Sequence, residues 1–291
     1  SLGIMLYWIL NDRKMPFVDA EKKLTPGLKI DAMERRCRGE KLPAPKNGSA
    51  KLKKIVLKAC EYHLENRYAS AQEMYDAADR AGVQLYVAQV LQFTREVETL
   101  HQVMADRRYG KPLDACFERL SARPGWVQGS WMFQKEKSGL LPFDLHIHDL
   151  DMMVSIFGEP QSMDYTSCGG PEAPCREQYR FRYTFAGGIT ASAEAAWFNA
   201  CLPFTARWRV YFERGLLVCD GGLTGYGADG DATVFDVEDP VKVECGANLP
   251  PSGWFLRELS HFVARAKENR PSERVPREQV LSVLGILEKI V

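Results

Sequence analysis

The chain has no excess of charge and no long run of one sign. Its 291 residues carry 38 Lys and Arg against 38 Asp and Glu. Proteins that bind nucleic acids or anionic membranes display basic patches, so this balance argues against both partners and favours a small polar ligand. With 45% apolar residues, the chain is long enough for one large or two ordinary globular domains.

Long apolar runs and paired cysteines are also missing. The apolar run SLGIMLYWIL stops at Asn11 after ten residues, whereas a membrane span needs about 20, and it lacks the basic flank of a signal peptide. We interpret it as a buried helix, and because it begins at Ser1 without an initiator Met, we expect the sequence to start inside a larger protein. The eight cysteines form no C-x-x-C pair, which predicts reduced, mostly buried thiols in a cytoplasmic protein.

The order of the predicted elements indicates an α+β fold class. Helix and loop patterns fill roughly the first 70 residues. A helix ending at Gly82, a buried strand over 84–90 and a helix over 96–108 come next, and strand patterns then dominate until two amphipathic helices, 254–267 and 277–291, close the chain. The prediction is therefore an all-helical piece followed by an open, mostly antiparallel sheet with helices.

Two strands show clean alternation of apolar and polar side chains. This period of two predicts a sheet with one covered face and one more polar face. Tyr179, Phe181, Tyr183 and Phe185 alternate with Arg180, Arg182 and Thr184, and Trp208, Val210 and Phe212 alternate with Arg207, Arg209 and Tyr211.

The segment SGLLPFDLHIHDLDMMVSIFG carries the pattern with the most chemistry. On a helix, Asp144, His148 and Asp151 stand at i, i+4 and i+7 and share one face. A carboxylate beside an imidazole can hold its tautomer and raise its pKa, as a general acid/base near neutral pH requires. The alternative is a charge-laced structural helix with a hydrogen-bonded His, and the isolated pattern favours that alternative.

A second interpretation concerns His146, two residues before His148. On a helix His146 would point away from the shared face, but on a strand the two imidazoles would face the same way and could bind a metal ion, as in metal-dependent hydrolases. No third or fourth ligand with suitable spacing is evident in the sequence.

A loop before this motif contains aromatic and cationic side chains. Aromatic rings stack on sugar faces, and cations bind hydroxyl or carboxylate oxygens, so the loop predicts a polyol or sugar acid as substrate; an ordinary surface loop is the alternative. The candidate substrate-binding residues are Arg123, Trp131 and Lys135, together with Asp151 of the motif, while Trp126 and Lys137 lie in the same loop.

From about Glu73 to its end, roughly three quarters of its length, the chain resembles the C-terminal part of the Gfo/Idh/MocA family of nicotinamide-dependent sugar and cyclitol oxidoreductases. The segment AGVQLYVAQVLQFTREV is similar to the last strand of the family's nucleotide domain and the linker after it, but Gln92 to Arg95 replace the usual R-F-x-P. The family motif is a Gly pair, then D-x-x-x-H-x-x-D and an apolar helix ending in Gly. Gly139, Asp144, His148, Asp151 and Gly158 match it, with Leu140 in place of the second Gly.

The resemblance implies the roles of the motif residues. His148 would take or deliver the hydroxyl proton during hydride transfer, and Asp144 would orient the substrate or the imidazole. NAD or NADP is the implied cofactor, but the family's G-x-G-x-x-G turn is absent. GLTGYGADG, residues 222–230, is interpreted as a loop, and Glu65, Asn66 and Arg67 stand where an E-K-P lysine is expected. We therefore expect no measurable NAD(P) affinity in this chain.

The first 72 residues resemble a different family. SLGIMLYWILNDRKMPF is similar to the central helix of a protein kinase C-lobe, and LKKIVLKACEYHLENRYASAQEM to its closing helices, where His63 and Leu64 replace the usual D-P while Arg67 and Tyr68 are kept. The kinase catalytic elements are not in the sequence, so residual kinase activity is not expected. A fusion near SAQEM is predicted, whether natural, engineered or an assembly artefact.

The predicted domains follow from the two resemblances. They are a kinase-like helical fragment (1–72), the remnant of the last helix and strand of a Rossmann domain (73–95), and a substrate and oligomerisation domain (96–291). A non-catalytic scaffold in which the sheet forms a homo-oligomer interface is the alternative function.

Overall fold

The computed structural model describes residues 2–18, 25–125, 128–244 and 251–291. The chain divides into two compact units. Unit 1 contains Ser1–Leu85 and Glu268–Pro271, and unit 2 contains Tyr86–Lys267 and Ser272–Val291. The division thus falls within the predicted middle segment, 73–95.

Unit 1 is helical in its described part, as the sequence pattern predicts. Ser49 and Ser70 cap two of its helices, because their hydroxyl oxygens accept the N–H groups of Leu52 and Glu73. The N-terminal helix is only partly buried, since Ile9 is 59% exposed, so the predicted buried helix is wrong in that respect. The helices are α1 (Leu2–Leu10), α2 (Pro26–Cys37), α3 (Ala50–Ala59) and α4 (Ala71–Ala81).

The predicted buried strand over 84–90 is not present. Residues 83–89 have no regular secondary structure and pair with no strand, and only Gln89 among residues 84–90 is buried. A strand needs a partner for its backbone N–H and C=O groups, and no described residue before 112 belongs to a strand. A short 3₁₀ helix, Val90–Phe93, follows instead.

Unit 2 is built on one open sheet of eight strands, which confirms the predicted fold class. The strand order is β2-β3-β4-β1-β5-β6-β7-β8. Neighbouring strands are antiparallel except β1 and β4, which are parallel. The strands are β1 (Pro112–Ala122), β2 (Ser162–Cys168), β3 (Gln178–Thr184), β4 (Thr190–Phe198), β5 (Thr205–Phe212), β6 (Gly215–Cys219), β7 (Leu223–Gly227) and β8 (Ala232–Phe235).

Helices cover one face of this sheet, here called the inner face. The predicted alternation is confirmed, because the aromatic residues of β3 are buried and the arginines between them are exposed. Phe117, Trp197 and Phe212 of the inner face share a core with Leu100 and with the apolar residues of the helices. The helices of unit 2 are α5 (Arg95–Ala105), α6 (Lys135–Ser138), α7 (Ile147–Phe157), α8 (Trp254–Lys267) and α9 (Arg277–Leu287).

The glycine-rich segment GLTGYGADG contains a strand, so its interpretation as a loop is wrong. Its first half forms β7, and Gly225 is buried there. A Cβ on Gly225 would overlap the hydroxyl oxygen of Tyr109, and one on Gly215 of β6 would overlap the same ring. These glycines therefore let the Tyr109 ring pack on the sheet.

The thiols and the helix lengths of the described residues can be compared with the sequence predictions. Seven cysteines in the described ranges are unpaired, but only Cys60 is buried, and Cys37, Cys168 and Cys201 are exposed. The prediction of mostly buried thiols is therefore wrong.

Within the described ranges, no helix combines the length and apolarity that a membrane crossing requires.

Candidate functional site

The D-x-x-x-H-x-x-D motif spans a π-helical turn and the first part of an α-helix. The π turn is Pro142–His146, and α7 continues from Ile147 without a break. Gly139 and Leu140, just before it, both have positive φ, 72° and 61°. A left-handed non-glycine residue costs about 1–2 kcal/mol, so Leu140, the departure from the family motif, is strained. π turns are rare and frequent at functional sites.

Asp144 lies in the π turn and is half-buried. The indole of Trp197, on β4, donates a hydrogen bond to its carboxylate. Burial raises the pKa of Asp144 above its ordinary value, and the Trp197 hydrogen bond opposes that rise. Asp144 therefore lies beside Trp197 on the inner face of the sheet.

His148 lies in the first turn of α7 and is uncharged at neutral pH. Burial lowers its pKa to about 4, and the nearby guanidinium of Arg119 lowers it further in the same direction. The prediction that a neighbouring carboxylate raises this pKa is therefore wrong, because burial and Arg119 both lower it. The Nδ1 atom of His148 is buried and has no hydrogen-bond partner among the described residues, while the residue as a whole is only partly buried.

Asp151 is bound on both sides by amides of the protein. Its Oδ2 accepts a hydrogen bond from Gln92 Nε2 at 2.6 Å, and its Oδ1 accepts one from Gln279 Nε2 at 2.7 Å. Burial raises the pKa of Asp151 to about 6. These contacts join α7 to the 3₁₀ helix at 90–93 and to α9, so Asp151 connects elements and both its oxygens are already engaged.

His146 points into the core, away from the shared face, as a helix predicts. Its ring stacks on Phe181 with centroids 3.7 Å apart, and its Nε2 lies 2.6 Å from the hydroxyl of Tyr183. Burial lowers its pKa to about 3, which leaves it neutral. His146 and His148 stand on a helical segment, and nowhere in the described part of the chain do three His, Cys, Asp or Glu side chains form a group that could hold a metal ion.

A buried ion pair lies next to the motif and was not found from the sequence. Arg119 of β1 donates to Asp149 of α7 through two contacts, Nη2 to Oδ1 at 2.7 Å and Nε to Oδ2 at 3.1 Å. Alternation in FERLS places Arg119 on the same face as the buried Phe117. A charge on a covered face implies a buried partner, so this alternation was the sequence feature that could have indicated the ion pair.

The segment with Trp131 and Lys135 packs beside Trp197. Phe133 meets the Trp197 ring edge-on, with centroids 5.9 Å apart, and the hydroxyl of Ser138 donates to the carbonyl of Met132 at 2.7 Å. Trp131 and Lys135 themselves are exposed. Trp197 thus links this segment to Asp144, and Trp126 lies outside the described residues.

Arg123, at the end of β1, is engaged within the protein. Its guanidinium forms an ion pair with Glu177, and Glu177 also accepts the backbone N–H of Gly170 at 3.0 Å. The Gly170 N–H and the Arg123 guanidinium lower the pKa of Glu177. The sequence predicts Arg123 as a cation that binds the substrate, but in the structure its charge is already neutralised by Glu177.

A cavity of about 1520 Å³ lies elsewhere, within unit 1. Its walls come from residues 8–67, including Trp8, Met33 and Lys54. None of the candidate site residues lines this cavity, so its size does not make it the site of the chemistry.

The described residues do not fit a dinucleotide. A dinucleotide-binding turn joins a strand to a helix N-terminus through closely spaced glycines. Among the described residues no strand precedes β1, and the glycines of 222–230 lie in and beside β7, where Tyr109 occupies the space beside Gly225.

Comparisons with known proteins agree with the fold of unit 2. Residues 97–218 match the family model of the GFO/IDH/MocA C-terminal domain, which confirms the family resemblance over that range. No curated protein sequence matches the chain. None of the similarities supports the kinase-like interpretation of residues 1–72 or a fusion, and both stay predictions.

Several solved structures that share this fold are oxidoreductases. An oxidoreductase from Agrobacterium radiobacter in complex with NAD+, L-tartaric acid and magnesium is 14% identical, with a TM-score of 0.64 over 82% of this chain and 72% of that one. Levoglucosan dehydrogenase in its apo form is 18% identical, with a TM-score of 0.64 over 81% and 72%. An aldose-aldose oxidoreductase from Caulobacter crescentus complexed with glycerol is 17% identical, with a TM-score of 0.63 over 75% and 64%.

Proposed function

We propose that unit 2 is the substrate-binding and acid/base part of an oxidoreductase acting on a hydroxyl of a sugar, polyol or cyclitol. The observation that carries the proposal is a neutral, only partly buried His148 four residues after Asp144, in the segment that matches the family model. A neutral imidazole can accept a hydrogen bond from a substrate hydroxyl, and the Asp144 carboxyl can orient that hydroxyl; proton transfer to His148 requires that bound substrate raise its pKa above the value of about 4 in the free protein.

The charges around the site favour a neutral sugar or polyol over a sugar acid. Arg119 and Arg123 are already paired with Asp149 and Glu177. A substrate carboxylate would have to displace one of these acids or rely on the exposed Lys135. Hydroxyl groups can use His148, Asp144 and the exposed ring of Trp131, which stacks on sugar faces.

Equilibrium titration with D-glucose and D-gluconate, followed by tryptophan fluorescence, tests this proposal. We expect D-glucose to bind more tightly than D-gluconate, and Trp131→Ala to weaken D-glucose binding by about tenfold, the loss of roughly 1–1.5 kcal/mol of ring contact. Trp8→Ala is the matched control, because Trp8 is also an exposed tryptophan but belongs to unit 1, which contains none of the candidate site residues. No binding of either sugar, or equal losses in both variants, would contradict the proposal.

We also propose that this chain does not bind a nicotinamide dinucleotide. NAD or NADP remains the cofactor implied by the family, but the described residues do not fit it. Isothermal titration with NADH and NADPH should therefore show no heat of binding. Micromolar affinity for either would overturn this part of the proposal.

The alternative function, an interaction or scaffold protein, has one supporting observation. Tyr211 of β5, Leu216 of β6 and Tyr226 of β7 are neighbours in register, and both tyrosines are about half exposed on the outer face. We propose this patch as the interface of a homo-oligomer. Light scattering should show a mass that falls in Tyr226→Glu, and an unchanged monomer mass in both proteins would contradict it.

The domain assignment stays a proposal as well. The segments 1–72, 73–95 and 96–291 follow from the two resemblances, and a cytoplasmic location follows from the unpaired cysteines. Long-read sequencing across codons 60–85 tests the fusion, because an intact Rossmann reading frame there would contradict it.

A further inference from the structure

We propose that the Arg119–Asp149 ion pair is the positioning element of the His148 site: it fixes the first turn of α7 to β1 and keeps a positive charge close to the His148 imidazole. The inference rests on the proposed function of His148. Neither Arg119 nor Asp149 is thereby a catalytic residue, since both act through His148.

The geometry of the pair supports a positioning role. Two parallel N–H to oxygen contacts, 2.7 Å and 3.1 Å long, fix the direction of the Asp149 side chain as well as its distance from β1. The side chains of Arg119 and Asp149 are 8% and 2% exposed. Because Asp149 directly follows His148 on the helix, fixing Asp149 also fixes the rotation of α7, and with it the direction of His148.

The sheet leaves room for the guanidinium. Arg119 is in register with Ala195 of β4 and with Ala206 of β5. Small side chains on both neighbouring strands let a long charged side chain lie on an otherwise apolar face. A structural ion pair could be replaced by packed apolar groups at little cost, so stability alone does not explain the pair.

A second contact, made by His146, fixes the end of the π turn to strand β3. His146, two residues before His148, stacks on Phe181 and bonds to Tyr183 of β3. His148 therefore lies between one anchor on β1 and one on β3, at the junction of the π turn and α7. This junction sets where Asp144 and His148 point.

The charge of Arg119 acts on both imidazoles. After burial, the Arg119 guanidinium is the second cause that lowers the pKa of His146 and of His148. The other titratable groups around His148 are Asp144 on the π turn, Asp149 and Asp151 on α7, and Tyr183 on β3, whose pKa is raised by burial and by Asp149. Arg119 is the one cation among these groups.

The test is a pH titration of the histidine Cε1–H signals by NMR in the full chain. The double variant Arg119→Met with Asp149→Leu removes both charges without leaving an unpaired buried ion. We expect the His148 pKa to rise by about one unit or more when the cation is removed, while His101 and His261 titrate as in the wild type. In Arg119→Lys, which keeps the charge but loses the two-pronged contact, the His148 pKa should stay near its wild-type value and the signal should broaden.

Arg209→Met is the matched control, because Arg209 lies on the outer face of the adjacent strand β5 and its loss should move no histidine pKa. A folded double variant in which His148 titrates as in the wild type would overturn the proposal. The titration uses no sugar, so its outcome is independent of sugar binding. A shifted His148 pKa with no sugar binding would support the positioning role and contradict the proposed function.

Discussion

His146 and His148 are two residues apart and meet different surroundings. The Nδ1 atoms of both rings are buried without a hydrogen-bond partner among the described residues, but His146 lies fully buried in the aromatic core between β3 and the π turn, whereas His148 is only partly buried. Both are neutral at pH 7, because a buried imidazolium would lose its hydration. Of these two residues, only His148 therefore has accessible surface that a ligand could contact.

His146→Phe should make the protein less sensitive to acid. The folded-state pKa of His146, about 3, lies below its ordinary 6.5. As pH falls below 6.5, the unfolded chain gains a proton that the folded chain cannot accept, so this group lowers the stability of the wild type at acid pH. Phe keeps the stacking on Phe181 but cannot titrate.

As pH falls below 6.5, the free energy of unfolding of the wild type should decrease relative to that of His146→Phe. The expected decrease is about 1.4 kcal/mol for each pH unit. Urea unfolding at several pH values measures it. The lost Tyr183 contact adds a pH-independent cost and does not affect the slope. Equal slopes for variant and wild type would show that His146 is not buried neutral.

The motif residues could be predicted from spacing, but their partners could not. Asp144, His148 and Asp151 were found because i, i+4 and i+7 share a helix face. The ion pair of Arg119 and Asp149 was not predicted, because the two residues lie 30 positions apart. Only the packing of α7 on β1 brings them together. The low pKa of His148 depends on the same packing.

At the scale of elements, β7 depends on glycine for its packing. Gly225→Ala should destabilise the protein by about 1–3 kcal/mol, the usual cost of overfilling a packed core, because its Cβ would overlap Tyr109. Gly222→Ala is the control: nothing lies within 4 Å of the added Cβ, and a change within about 0.5 kcal/mol is expected. Thermal unfolding of both variants measures the effect, and equal stabilities would contradict this packing.

A period of two in the sequence predicts the strands in which apolar and polar side chains alternate. β3 and β5 bury every second residue, and the sequence predicts both. β7 was missed because two of its five residues are glycine, and β2 because most of its residues are exposed. For segment 83–89 the sequence predicts a strand that the structure does not contain. Its apolar residues suggest a strand, but no described strand pairs with it.

At the scale of the whole molecule, the candidate site residues all lie in one of the two units. Unit 2 has a covered sheet face, a strained entry to a π turn and a family match over 97–218. Unit 1 has helices and a cavity but no candidate residue for the chemistry. The functional proposal therefore concerns unit 2.

The most direct test of the central claim is to observe His148 while a neutral sugar binds. The chain has five histidines, so the Cε1–H NMR spectrum contains its own controls. On titration with D-glucose, we expect the His148 signal to shift in a saturable way that Asp144→Asn weakens, while the His63, His101 and His261 signals stay in place. Saturable sugar binding that leaves the His148 signal unchanged would contradict the account.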